Sequence, residues 1–172
     1  MGIFSKVVTT DHIVDALSGF FDVGYASLVK GLKDISENEI VINEEQDLEI
    51  LAVVIFSIMQ AVISTFKDDS ASNKIIDKFL KRIIKNYIKK DEENFRNLIV
   101  ARYREYLDEI NTDGDFVFRL GQIFSTNCFN NKLPDNLNIA VMSIAGITIM
   151  NQMIEVKKFF DEILEKCEVR LY

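Results

Sequence analysis

The chain has 172 residues, of which 48% are apolar, with a single proline and seven glycines. This length is enough for one domain with its own core, without a disulfide or metal, and so few turn-forming residues exclude an all-β fold. The 20 basic and 27 acidic residues give a formal charge of −7, which opposes binding to nucleic acid. We therefore expect a single all-α domain over residues 1–172.

The first predicted helix begins at Thr10 or Asp11 and ends at Ile35, because its apolar residues recur at spacings of three and four. Gly24, Ser27 and Gly31 share one face of this helix. Glycine destabilises a helix by about 1 kcal/mol relative to alanine, so we interpret this face as a packing groove that another backbone approaches closely, with a break of the helix near Gly24 as the alternative. Residues 36–49 form a polar, acidic connector.

Two other predicted helices, at about 45–66 and 135–169, contain uncharged stretches of 17 and 19 residues. Their apolar parts lie at about 48–66 and 137–156. A membrane span needs about 20 predominantly apolar residues, and Ser, Gln or Asn interrupts both stretches. We expect these two helices to form the buried centre of a bundle of about six, and a membrane-spanning pair is the alternative.

Three amphipathic helices are predicted between them, at 71–90, 92–110 and 113–130. Asp91 is the predicted N-cap between the first two, because a carboxylate accepts hydrogen bonds from the exposed N–H groups of a helix start. The loop before the last helix contains the single proline.

The helix predicted at 71–90 concentrates basic residues on the side opposite its apolar stripe. Residues 72–90 contain seven basic residues and one aspartate, a local charge of +6. We interpret this basic surface as the solvent-exposed side of a core helix. The alternative is that it contacts a membrane surface, an acidic protein or the chain's own segment 37–49. The candidate interaction residues are Lys74, Lys78, Lys81, Arg82, Lys85 and Lys89.

Residues suited to catalysis or metal binding are scarce. The chain has one histidine, His12, and two cysteines, Cys128 and Cys167, too few for a structural zinc site or a di-iron site in a helical bundle. We predict that both thiols are free and that His12 is an ordinary surface residue. The acidic residues Glu44, Glu45, Glu49, Glu105 and Asp108 do not have the spacing of the all-α nucleoside triphosphate pyrophosphohydrolases. We predict no catalytic, metal-binding or cofactor-binding residues.

The function expected from these observations is that of a non-catalytic interaction or regulatory module that associates with itself. The expected partner is a second copy of the chain or an acidic protein, in the cytoplasm. A binder of an apolar ligand, or a peripheral membrane protein that uses helix 72–90, is the first alternative. A magnesium enzyme that relies on carboxylates is the second.

Overall fold

Six α-helices and two short strands make up the part of the chain that the computed structural model describes, residues 6–37, 40–66, 68–112 and 115–171. This part is 82% helical, which confirms the predicted all-α bundle. The helices are α1 (Thr10–Ile35), α2 (Glu44–Thr65), α3 (Asp69–Tyr87), α4 (Glu92–Ile110), α5 (Phe116–Phe129) and α6 (Asp135–Lys166).

Several helices begin at a residue whose side chain accepts a hydrogen bond from the first turn. Before α2, the Asn43 side chain accepts from the Gln46 backbone N–H at 2.9 Å, and the Gln46 side chain accepts from the Asn43 N–H at 3.0 Å. Asp91 caps α4 as predicted, accepting from the Asn94 N–H at 3.2 Å. His12 completes a reciprocal cap with Thr9 at the start of α1, so it has a structural role.

Helix α2 is the central element of the bundle and contacts all five other helices. Its residues from Glu49 to Ile58 are buried without interruption, as expected for a helix surrounded by neighbours. The aromatic side chains of Phe56, Tyr103 and Tyr106 pack together where α4 crosses it.

The predicted burial of the second apolar helix is only partly realised. Helix α6 packs against α1, α2 and α5. However, only 39% of its most apolar stretch of 18 residues is buried, whereas 67% of the corresponding stretch of α2 is buried. Ile139, Ile147 and Ile154 are exposed on its outer side. Helix α6 therefore lies at the side of the bundle and presents an apolar face to the outside.

Two strands were not predicted: β1 (Lys6–Thr9) and β2 (Cys167–Arg170). They form a parallel pair with Lys6 opposite Cys167 and Thr9 opposite Arg170. The prediction that the last helix continues to residue 169 is therefore wrong, because the chain leaves α6 after Lys166 and becomes extended. Pairing with a strand about 160 residues away is a tertiary effect that a helical residue pattern does not reveal.

Glycines set the spacing between α6 and two of its neighbours. A Cβ atom at Gly31 of α1 would lie 2.9 Å from the Ile144 side chain, and one at Gly121 of α5 would lie 2.6 Å from the Met142 carbonyl carbon. A Cβ at Gly146 of α6 would overlap the backbone of Val117. The face of α1 that contains Gly24 and Gly31 is closely packed, but side chains of α6, and not another backbone as predicted, occupy the space beside these two glycines. Helix α1 continues through Gly24 without a break.

Candidate functional site

An apolar groove of about 660 Å³ lies between α1 and α6. The two helices run antiparallel, since Phe20 contacts Phe159 while Gly31 faces Ile144. The residues that line the groove are mostly small or apolar: Ala16, Gly19, Phe20, Val23, Gly24 and Ser27 of α1, and Thr148, Asn151, Gln152 and Glu155 of α6.

The floor of the groove is held by Gln152, whose side chain is 7% exposed. Its Nε2 atom donates a hydrogen bond to the Phe20 carbonyl oxygen at 3.0 Å, which ties α6 to α1. Its Oε1 atom lies over Gly24, where any larger residue would collide with it, and accepts no hydrogen bond within the described chain. Gly24 and Gln152 therefore fix the separation of the two helices and the depth of the groove.

The rim of the groove is apolar and exposed. Val23, which lines the groove on α1, is 67% exposed, and Ile147, which precedes the lining residue Thr148 in α6, is 55% exposed. Ile154 lies two turns further along α6 and is also exposed. Exposed apolar side chains beside an apolar groove are a candidate binding surface. We call the groove and this rim the α1–α6 face.

The α1–α6 face is close to neutral. Glu155 is the one charged residue among those that line the groove, and its carboxylate accepts a hydrogen bond from Lys158 at 2.7 Å. At the other end, Lys30 pairs with Asp34 at 3.7 Å. A ligand or partner that fits this face is therefore apolar and needs no compensating charge.

Five of the six basic residues predicted as an interaction surface lie along α3, beside α1, whereas Lys89 lies in the loop that follows the helix. Lys78 Nζ lies 3.2 Å from the Asp11 carboxylate, and Arg82 is bonded to Asp15. Further along, the Tyr87 hydroxyl donates to Asp22, which raises the Tyr87 pKa to about 12, with burial as the second cause. The two helices are therefore parallel neighbours joined by a ladder of polar contacts.

The acidic partners of these α3 residues, Asp11, Asp15 and Asp22, lie in α1 and not in segment 37–49, one of the predicted alternative neighbours. Within the described residues, that segment makes other contacts: the Tyr25 hydroxyl donates to Asp47 at 2.5 Å, and Glu49 pairs with Arg102. Lys81 pairs with Asp77 of its own helix at 3.7 Å. Lys74, Lys85 and Lys89 are exposed, and none makes an ion pair with another described residue.

Two of the five acidic residues that suggested the enzyme alternative, Glu49 and Glu105, share one arginine. Arg102 donates from Nε and Nη2 to the two Glu49 oxygens at 2.7 and 2.5 Å, and from Nη1 to Glu105 at 3.1 Å. The hydrogen bonds to Glu49 are the largest cause of the raised Arg102 pKa. Asn127 donates to the same Glu105 at 3.0 Å, so the cluster joins α2, α4 and α5.

Neither thiol is joined to the other. Cys128 is buried, and burial raises the pKa of its thiol to about 12, with the Glu49 charge as a smaller cause. Cys167 is half-buried at the start of β2. No cluster of three His, Cys, Asp or Glu residues suited to a metal ion occurs within the described ranges.

The fold and the α1–α6 face together define the class of protein: a single-domain all-α bundle with an apolar groove on its outside. Comparison with known families, with curated proteins and with solved structures finds no match to this chain. By length and composition α2 and α6 are each apolar enough to cross a membrane, a property that the core helix of a soluble protein shares.

Sequence reasoning identified the glycine face of α1 but not the groove beside it. The signal was present, since Gly24, Ser27 and Gly31 fall on one side of the helix. The identity of α6 as the opposing wall, and the exposure of Ile147, depend on which helices become neighbours.

Proposed function

We propose that the protein is a non-catalytic helical interaction module that binds an amphipathic helix of another protein on its α1–α6 face. The observation that supports this most strongly is the combination of an open, nearly neutral groove with exposed apolar side chains on its rim. Apolar side chains exposed in this way are stabilised when a partner removes them from water.

The dimensions of the groove favour a helix as the occupant. The α1 residues that line the groove extend from Ala16 to Ser27, a length of about 16 Å or three helical turns. A third helix laid along two antiparallel helices buries apolar residues at positions i, i+3 or i+4, i+7 and i+11. Ala16 and Gly19 are small residues, so such a helix can approach α1 closely at these positions.

Charge argues against a lipid surface at this face. Beyond Ile154 the outer side of α6 continues with Lys157, Lys158, Asp161 and Glu165, a mixture of both signs and not the basic cluster that anionic lipid attracts. The exposed lysines of α3 belong to another side of α1, where Asp11 and Asp15 offset part of their charge.

Binding is tested with a fluorescent synthetic peptide of Leu, Ala, Gln and Lys whose apolar residues share one helical face. Fluorescence anisotropy should show saturable binding, and a peptide of the same composition with scrambled order should not bind. Gly19→Leu should weaken binding at least about tenfold, or 1.4 kcal/mol, because the new side chain fills the groove.

Two variants serve as controls for this experiment. A Cβ at Gly19 meets nothing within 4 Å, so Gly19→Ala adds one methyl group and should still bind the peptide. Val100→Glu changes an apolar α4 residue that is 50% exposed and lies outside the groove, and it should bind normally. Peptide binding that Gly19→Leu leaves unchanged would refute the proposal, and a groove that takes up fatty acid but no peptide would indicate an apolar-ligand protein.

A further inference from the structure

A second groove lies between α3 and α4 and shares no lining residue with the α1–α6 face. The two helices are joined by the short loop 88–91, and both pack against α2. Met59 of α2, Leu80 and Ile84 of α3, and Ile99 of α4 line the groove. Val100 also lines it from α4 and is 50% exposed. This α3–α4 groove is therefore an apolar slot that is open to water.

The two charged residues that line the α3–α4 groove are both arginines, Arg96 and Arg104. Arg96, Val100 and Arg104 are each four residues apart, so they lie on one face of α4. The Cα atoms of the two arginines are about 12 Å apart along the helix axis, with the valine midway. Both arginines are exposed. Arg102 of the same helix is paired with two glutamates, whereas neither Arg96 nor Arg104 forms an ion pair with another residue in the described part of the chain.

The size of the α3–α4 groove suits the side chains of a partner better than a whole small molecule. Its volume is about 200 Å³, which is below the roughly 300–1,000 Å³ of pockets that enclose small ligands. The Tyr103 hydroxyl on its wall donates to Gln60 at 3.1 Å, so this polar atom already has a partner. An occupant therefore places apolar side chains in the slot and its charges beside the arginines.

We infer that the α3–α4 groove binds an acidic amphipathic helix of another protein. Apolar side chains of this helix pack against Leu80, Ile84 and Val100, and its carboxylates lie beside Arg96 and Arg104. Carboxylates roughly seven or eight residues apart on the partner helix match the spacing of the two arginines. Arginine binds a carboxylate through paired hydrogen bonds. Complementary charges at the rim of an interface increase the rate of association and discriminate against partners of the wrong charge.

Anionic lipid suits this groove less well than an acidic helix does. Segments that bind anionic lipid carry clusters of about four to eight basic residues, and the α3–α4 groove is lined by two. The formal charge of −7 on the whole chain opposes its approach to an extended anionic surface. One helix with a few carboxylates contacts the chain only where the local charge is positive.

The inference goes beyond the proposed docking function and does not rest on it. The probe is an acidic peptide, identical to the lysine peptide described above except that glutamate replaces each lysine. Fluorescence anisotropy is measured with the Gly19→Leu chain, whose α1–α6 groove is filled, so that binding reports the α3–α4 groove. The acidic peptide should bind saturably and more weakly as salt is added. The lysine peptide should not bind there, because both arginines repel it.

Charge reversal of the two arginines tests their role. Arg96→Glu combined with Arg104→Glu should weaken binding of the acidic peptide at least about tenfold, since each change removes an attraction and adds a repulsion. The same double variant should bind the lysine peptide instead. Lys157→Glu combined with Lys158→Glu changes the net charge equally on exposed residues of α6, and this control should bind the acidic peptide normally.

Two single variants distinguish the two docking surfaces in the natural chain. Val100→Glu should weaken the arginine-dependent binding of the acidic peptide and leave the lysine peptide bound to the α1–α6 face, and Gly19→Leu should do the reverse. Either surface can therefore fail alone. An acidic peptide that does not bind, or whose binding survives both arginine reversals, would overturn the inference. Arginine-dependent pelleting with anionic vesicles in the absence of peptide binding would overturn it in favour of lipid.

Discussion

The same substitution, glycine to alanine, should have opposite effects at Gly121 and Gly19. At Gly121 a Cβ atom would lie 2.6 Å from the carbonyl carbon of Met142 and 3.0 Å from its Cα, whereas at Gly19 it meets nothing within 4 Å. Both residues lie inside helices, α5 and α1. The pair therefore separates the intrinsic helix propensity of alanine from the effect of interhelical packing.

The expected magnitudes follow from these distances. Alanine is more favourable than glycine within a helix by about 1 kcal/mol, so Gly19→Ala should raise the free energy of unfolding by about that amount. At Gly121 the same gain is opposed by overlap with backbone atoms, and only a separation of α5 from α6 relieves that overlap. Overpacking of a core typically costs about 1–3 kcal/mol and sometimes more, so Gly121→Ala should be destabilising by about 2 kcal/mol.

Urea denaturation followed by far-ultraviolet circular dichroism measures both changes. In thermal unfolding a change of 1 kcal/mol corresponds to about 2–4 °C for a chain of this size. Gly19→Ala should melt a few degrees higher than the natural chain and Gly121→Ala several degrees lower. If Gly121→Ala is as stable as Gly19→Ala, the close crossing of α5 and α6 is refuted.

Three further predictions concern charged and titratable groups. Arg102→Leu leaves the buried Glu49 without its partner and should lower the free energy of unfolding by about 3 kcal/mol. Lys158→Leu breaks an exposed pair and should change the free energy of unfolding by less than about 1 kcal/mol. Urea denaturation measures both, and equal effects would contradict this prediction. Because burial raises the pKa of the Cys128 thiol from its ordinary 9.0 to about 12, only the unfolded state ionises between these values. Stability present below pH 9 should therefore be lost as the pH rises towards 12, less steeply in Cys128→Ala; alkaline unfolding curves measure this, and identical slopes would disprove it. Changing Lys78, Lys81 and Lys85 together to Gln should alter stability by less than about 1.5 kcal/mol, and pelleting with anionic vesicles should show no lysine-dependent binding.

Local signals were sufficient to place most helices. The predicted bounds of α1 and α4 agree with the structure, Thr10–Ile35 and Glu92–Ile110. In α4 a helical period of apolar residues coincides with a capping aspartate, Asp91, so two independent local interactions specify the same start. Helix α3 ends at Tyr87 and not at residue 90 as predicted. The prediction was too long because Ile88, a buried residue in the loop, continues the apolar pattern beyond the end of the helix.

Features that depend on helix neighbours could not be predicted. Asp11 and Asp15 are one turn apart on α1, and so are Lys78 and Arg82 on α3, but this match is meaningful only once α1 and α3 are known to be adjacent and parallel. The exposure of Ile147 likewise depends on which side of α6 faces α1 and α5. The pairing of β1 with β2 joins the two ends of the chain, beyond the reach of any local pattern.

The α1–α6 face is tested most directly by methyl nuclear magnetic resonance of isoleucine- and valine-labelled protein, titrated with the amphipathic peptide. The methyl signals of Val23, Ile147 and Ile154 should shift most, because these side chains are exposed on the rim of the groove. The signal of Val100, an exposed residue of α4 outside the groove, should stay in place. Shifts that are largest at Val100, or a titration that moves none of the rim signals, would contradict the assignment of this face as the docking site.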